Sequence, residues 1–66
     1  MQRVFVAADP AQAEAIRLAL ADAGIAAQVI LEDDGQGGAR LEIAVPAGQA
    51  RQATRIIAEG NWPRLA

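Results

Sequence analysis

Cysteine, histidine, serine, lysine and tyrosine are all absent from this 66-residue chain. Without cysteine it can form neither a disulfide nor a thiolate metal site. Without histidine, only carboxylates remain as side-chain metal ligands of any strength. Nucleophilic catalysis needs an activated Ser, Cys, Thr or Lys beside a base. The one hydroxyl is Thr54, inside a predicted helix, and no carboxylate is spaced to serve it. Paired carboxylates could still do acid–base work. The one dense acidic cluster, Glu32-Asp33-Asp34, borders a glycine-rich stretch that cannot by itself hold geometry or exclude water. The chain is therefore expected not to be an enzyme and to carry no cofactor or metal.

Long hydrophobic runs are missing as well. No segment approaches the ~18 apolar residues of a membrane span, and the apolar run near Met1 is too short for a signal peptide. The expectation is a cytoplasmic protein with no membrane partner. Positive charge is scarce: six Arg against eight acidic residues give a net charge of −2. A phosphate backbone needs clustered positive charge, so nucleic acid is not expected either. Aromatics are reduced to Phe5 and Trp62.

The hydrophobic share is 53%, much of it alanine, which adds little buried area. A domain this short buries only about 60% of the surface its unfolded chain exposes. With disulfides excluded, oligomerisation is the expected supplement to the core, as a homodimer, a homotrimer or a complex with another protein. Residues 1–66 read as a single domain.

Along the chain, residues 3–8 predict a strand, with Val4 and Val6 toward the core and Arg3, Phe5 and Ala7 away from it. Asp9, Pro10 and Gln12 form a helix-start signal of N-cap, N1 proline and capping-box glutamine. Ala13, Ile16, Leu20 and Ala23 recur at helical spacing. Gly24 and Ile25 fit a Schellman ending. Residues 26–32 predict a second strand with Ala27, Val29 and Leu31 on one face. Residues 39–45 predict a third, with Leu41, Ile43 and Val45 toward the core. Residues 33–38 are a loop by composition and make the pair a hairpin. Pro46 stops the third strand. Residues 49–59 predict a second helix, packing Ala50, Ala53, Ile56 and Ile57, with Gly60 at its C′ position. Residues 61–66 are an irregular tail or a short fourth strand.

The order β-α-β-β-α makes this an α+β fold of the ferredoxin-like kind. The crossover rule then places the three antiparallel strands in the order 1-3-2, with both helices on one face. The other face stays open. On this reading it carries Phe5, Ala7, Ile30 and Ala44 amid Arg3, Gln28, Arg40 and Glu42. Phe5, Ala7, Ile30, Ala44 and Trp62 are the candidate interface residues. A second candidate site is a shallow cleft where the loop meets the start of the first helix. Its residues are Asp9, Gln12, Asp33, Asp34, Gly35, Gly37, Gly38 and Arg40, with Pro10 beside them. Gly35-Gln36-Gly37-Gly38 is a weak phosphate-cradle signal, because it leads into a strand and not into a helix N-terminus. Arg51 and Arg55 lie one turn apart on the second helix, Arg55 spaced to pair weakly with Glu59.

The strand at residues 3–8, the Ala23-Gly24-Ile25-Ala26-Ala27 turn and Leu41-Glu42-Ile43-Ala44-Val45-Pro46 together resemble a small bacterial family of unknown function labelled "putative prokaryotic signal transducing protein". The resemblance runs over residues 3–59. It implies a ferredoxin-like fold, distantly like the PII-type signalling proteins, trimers that sense small molecules through the loop between strands two and three. The present loop is short, and no lysine is available to meet nucleotide phosphates. The reading that follows is a regulatory or interaction module acting by self- or hetero-association. The alternative is a small-ligand sensor using the 33–38 loop and the start of the first helix.

Overall fold

A computed structural model describes residues 1–62. Its elements are β1 (Gln2–Ala7), α1 (Pro10–Asp22), β2 (Gln28–Asp33), β3 (Ala39–Val45), a short 3-10 turn (Ala47–Gln49) and α2 (Ala50–Glu59). The strands form one antiparallel sheet in the order β1-β3-β2. This is the expected α+β arrangement. Ile16 and Leu20 of α1, Ile25, Ile43 and Val45 of β3, and Ala53 and Ile57 of α2 share one buried cluster. Both helices therefore cover the same sheet face. Ile16, Leu20, Ile25, Ile43 and Val45 are fully buried, and each contributes about 1.5–3 kcal/mol by leaving water.

The helix-start signal forms as read. Asp9 is extended and accepts from Gln12 N at 2.8 Å, and Pro10 takes the first helical position. Gln12 Oε1 accepts from Ala8 N at 2.7 Å, one residue before the cap. At the other end, Gly24 holds φ +82°. Gly24 N donates to Ala21 O and Ile25 N to Leu20 O, which is the hydrogen-bond pair of a Schellman ending. Ala23, expected on the apolar face, is exposed instead. It is the C-cap residue, where helical spacing has already ended.

α2 is preceded by the 3-10 turn, so it begins one residue later than expected. Gly60 is its C-cap, with φ −80° and ψ 159°, and does not take the left-handed conformation expected of a C′ glycine. What requires glycine there is space. A Cβ at Gly60 would lie 2.1 Å from the Trp62 ring. The indole folds back, and its Nε1 donates to Ile57 O at 2.9 Å. Asn61 and Trp62 belong to no strand, as an irregular tail would have it; residues 63–66 lie outside the described residues.

The main correction concerns β1. Gln2 and Arg3 face Val45 and Ala44, but the next pair is Phe5 with Ile43. Val4 is thus an extra residue, a β-bulge that shifts all later alternation by one. Phe5 and Ala7 turn toward the helices, where Ala7 is buried and Phe5 packs against the core. Val6 turns away and is 52% exposed. Val4 still reaches the edge of the core. The bulge trades burial of Val6 for burial of Phe5, the larger apolar surface.

Candidate functional site

The sheet register arranges the uncovered face in rows. Arg3, Ala44 and Gln28 lie side by side, then Val6, Glu42 and Ile30, then Arg40 and Glu32. Of the side chains expected there, Ile30 and Ala44 do lie on this face. Phe5 and Ala7 do not, for the reason just given. Ala44 is fully covered yet outside the core cluster, as befits a small residue flanked by long neighbours on the central strand.

Glu42 is the unusual group. It sits mid-face on the central strand and is only 8% exposed. Arg3 Nε pairs with its Oε1. That oxygen is buried and takes no hydrogen bond, so the contact is electrostatic and undirected. Glu32 Oε2 lies 3.9 Å from both Arg3 Nε and Arg40 Nη2. Two Arg and two Glu thus share the face, which is neutral on a chain of net charge −2. Between them stand the apolar pair Val6, half exposed, and Ile30, partly buried.

The polar side chains expected in the ligand cleft each hold a hydrogen bond or ion pair within the chain. Asp9 and Gln12 cap α1, and Gln12 is buried. Asp33 Oδ1 accepts from Gly35 N at 2.8 Å. Asp34 Oδ1 accepts from Gln36 N at 2.7 Å and Gly38 N at 3.0 Å. These bonds, to Gln36 first and Gly38 second, hold the Asp34 carboxyl below the ordinary carboxylate range. The loop is therefore a structured turn that its own carboxylates organise. A depression beside it is lined by Leu31, Asp33, Gly37, Gly38 and Ala39, all from the hairpin. Arg40 belongs to the uncovered face, paired with Glu32. Among the described residues, no three acidic side chains converge as a metal ion would need.

Trp62, an expected interface residue, is spent internally against the end of α2 and the core. A further depression at the start of α2 is lined by Gln2, Gly48, Arg51, Thr54 and Arg55 among others. Thr54 Oγ1 donates to Ala50 O at 2.8 Å, so the one hydroxyl is committed within its helix. Arg55 lies 3.7 Å from Glu59, an exposed pair of small value.

Two residues escaped the sequence reading. Val6 was hidden by the bulge. Leu31 lies on the helix-side face, as read, but is 70% exposed. Its place beside the Asp-Asp-Gly turn, at the far end of an edge strand, is the signal that the helices would not reach it.

Neither the curated proteins nor the solved structures contain a match to this chain. The family model described as "Putative prokaryotic signal transducing protein" matches residues 1–61, nearly the whole chain, and with the βαββα order and the 1-3-2 sheet in place the protein belongs to that family.

Proposed function

We propose that this protein is a non-catalytic, cytoplasmic signalling module that acts by associating with a second copy of its own chain through the uncovered sheet face. The observation that supports this is the uncovered face itself, where Val6 stands half exposed beside the Arg3–Glu42 ion pair on a surface of balanced charge. The charge pattern favours a second copy as the partner. A two-fold contact uses the same patch on both subunits. A face with two Arg and two Glu can then set each Arg against a partner Glu. Val6 and Ile30 supply the apolar part of such a contact.

A small-ligand sensor has less to stand on, because the loop carboxylates already accept from the loop's own amides. The test is sedimentation equilibrium or native mass spectrometry across concentration, on the wild-type chain and on Val6→Arg. Self-association in the wild type, weakened at least tenfold by Val6→Arg, is the expected result. A monomer at every concentration rules the reading out.

A further inference from the structure

The two edges of the sheet differ. β1 is interrupted by its bulge, one of the devices that spoil an edge for further pairing. β2 is less guarded: Gln28 to Asp33 run in unbroken register with β3, with no proline, lysine or bulge, and its two charges, Glu32 and Asp33, stand together at one end. Among the described residues, β2 pairs only with β3. Alternate residues of β2 therefore turn their N–H and C=O groups outward, where no strand among the described residues takes them. Leu31 on this edge is also the most exposed of the large hydrophobic residues described, at 70%.

We infer that β2 is a dimerisation edge, at which a second copy of the same chain adds its own β2 antiparallel across a two-fold axis, giving one six-stranded sheet. The register follows from the side chains. Opposed residues of an antiparallel pair must share a face. With the axis at Ile30, Ile30 meets Ile30 of the second copy on the open side. Val29 meets Leu31 twice on the helix side, and Gln28 meets Glu32 twice. At that register Asp33 falls opposite Ala27, just before the start of β2, so its charge lies at the two ends of the contact; moving the axis to Leu31 would bring Glu32 against Ile30 and Asp33 against Val29, nearer the centre. The Glu32 charge is no obstacle at the first register, since Arg3 and Arg40 flank it within its own chain. This contact goes beyond the reading above, because it leaves the uncovered face clear. The two contacts together build a dimer of dimers.

The chain has no cysteine, so introduced thiols report cleanly. Directly opposed antiparallel residues have Cα atoms about 4.5–5.5 Å apart, within the roughly 4.4–6.8 Å that a disulfide spans. A mixture of Val29→Cys and Leu31→Cys chains should cross-link at least tenfold faster than Leu18→Cys, an exposed helix position that sets the collision baseline. Both positions lie on the helix side, which face-to-face pairing cannot bring together. Leu31→Arg, expected to fold normally because Leu31 is exposed, should weaken edge pairing at least tenfold. Cross-linking together with edge loss in Leu31→Arg, whatever Val6→Arg does, upholds the edge. Baseline cross-linking with Leu31→Arg associating like the wild type overturns it. In that case, loss of association in Val6→Arg still upholds the face.

Discussion

Two neighbouring rows of the same sheet have opposite characters. Phe5, Ile43 and Val29 lie side by side under the helices, and Ile43 is fully buried. One residue further along β1 and β2, Val6 and Ile30 flank Glu42, which is nearly as well buried but on the side that no helix covers. The first row is what a small core needs: apolar area removed from water. The second puts a carboxylate at the centre of the sheet, where apolar packing would have been more stabilising. Stability and the candidate interface are thus divided between the two faces of one strand, β3.

The contrast predicts a graded set of effects. Ile43→Ala should cost about 2–5 kcal/mol, most of the stability that a core of this size supplies, and urea unfolding should show a largely unfolded chain. Gly60→Ala comes next, at about 1–3 kcal/mol from overpacking, because its methyl group would meet the Trp62 ring. Repeating it in a Trp62→Ala background should remove most of that cost in a double-mutant cycle. Gly24→Ala should cost about 1–2 kcal/mol through the left-handed backbone alone, since nothing lies within 4 Å of the added carbon. Trp62→Ala should leave that cost unchanged.

On the other face, Glu42→Leu should cost far less than Ile43→Ala, because Arg3 is half exposed and keeps Glu32 beside it, so no charge is stranded in the interior. Its effect should appear as altered self-association in sedimentation. An equal loss of stability from Ile43→Ala and Glu42→Leu would break the proposed division of labour.

The smallest effect belongs to the loop. Hydrogen bonds from Gln36 and Gly38 lower the Asp34 pKa in the folded state. A depressed carboxylate stabilises above its unfolded pKa, and the contribution is lost as pH falls through the folded value. The Gln36 and Gly38 amide resonances should therefore titrate below the ordinary carboxylate range, with the sheet resonances unmoved. A midpoint at or above that range would show that the loop bonds do not hold in solution.

Helix one was legible almost to the atom, because its signals are local. Asp9, Pro10, Gln12, Gly24 and Ile25 act within a few residues of one another, and each did what its type allows. Gly60 was read as the same kind of signal and proved different, since its partner is a side chain two residues on whose folding back depends on the core. The uncovered face was legible in outline, through Ile30 and Ala44. Its membership on β1 was not, because alternation in one strand carries no sign of an extra residue.

The sequence by itself determined the order of elements, the strand hairpin, the missing chemistry and the two ends of helix one, all of them set by neighbours in the chain. Only the tertiary structure decided that Phe5 faces in and Val6 out, that Glu42 lies buried on the uncovered side, and that Leu31 lies beyond the helices. Those outcomes depend on the register between distant strands and on how far a helix reaches across a sheet. Both are fixed by burying the most apolar area, a sum over the whole fold that no local pattern contains.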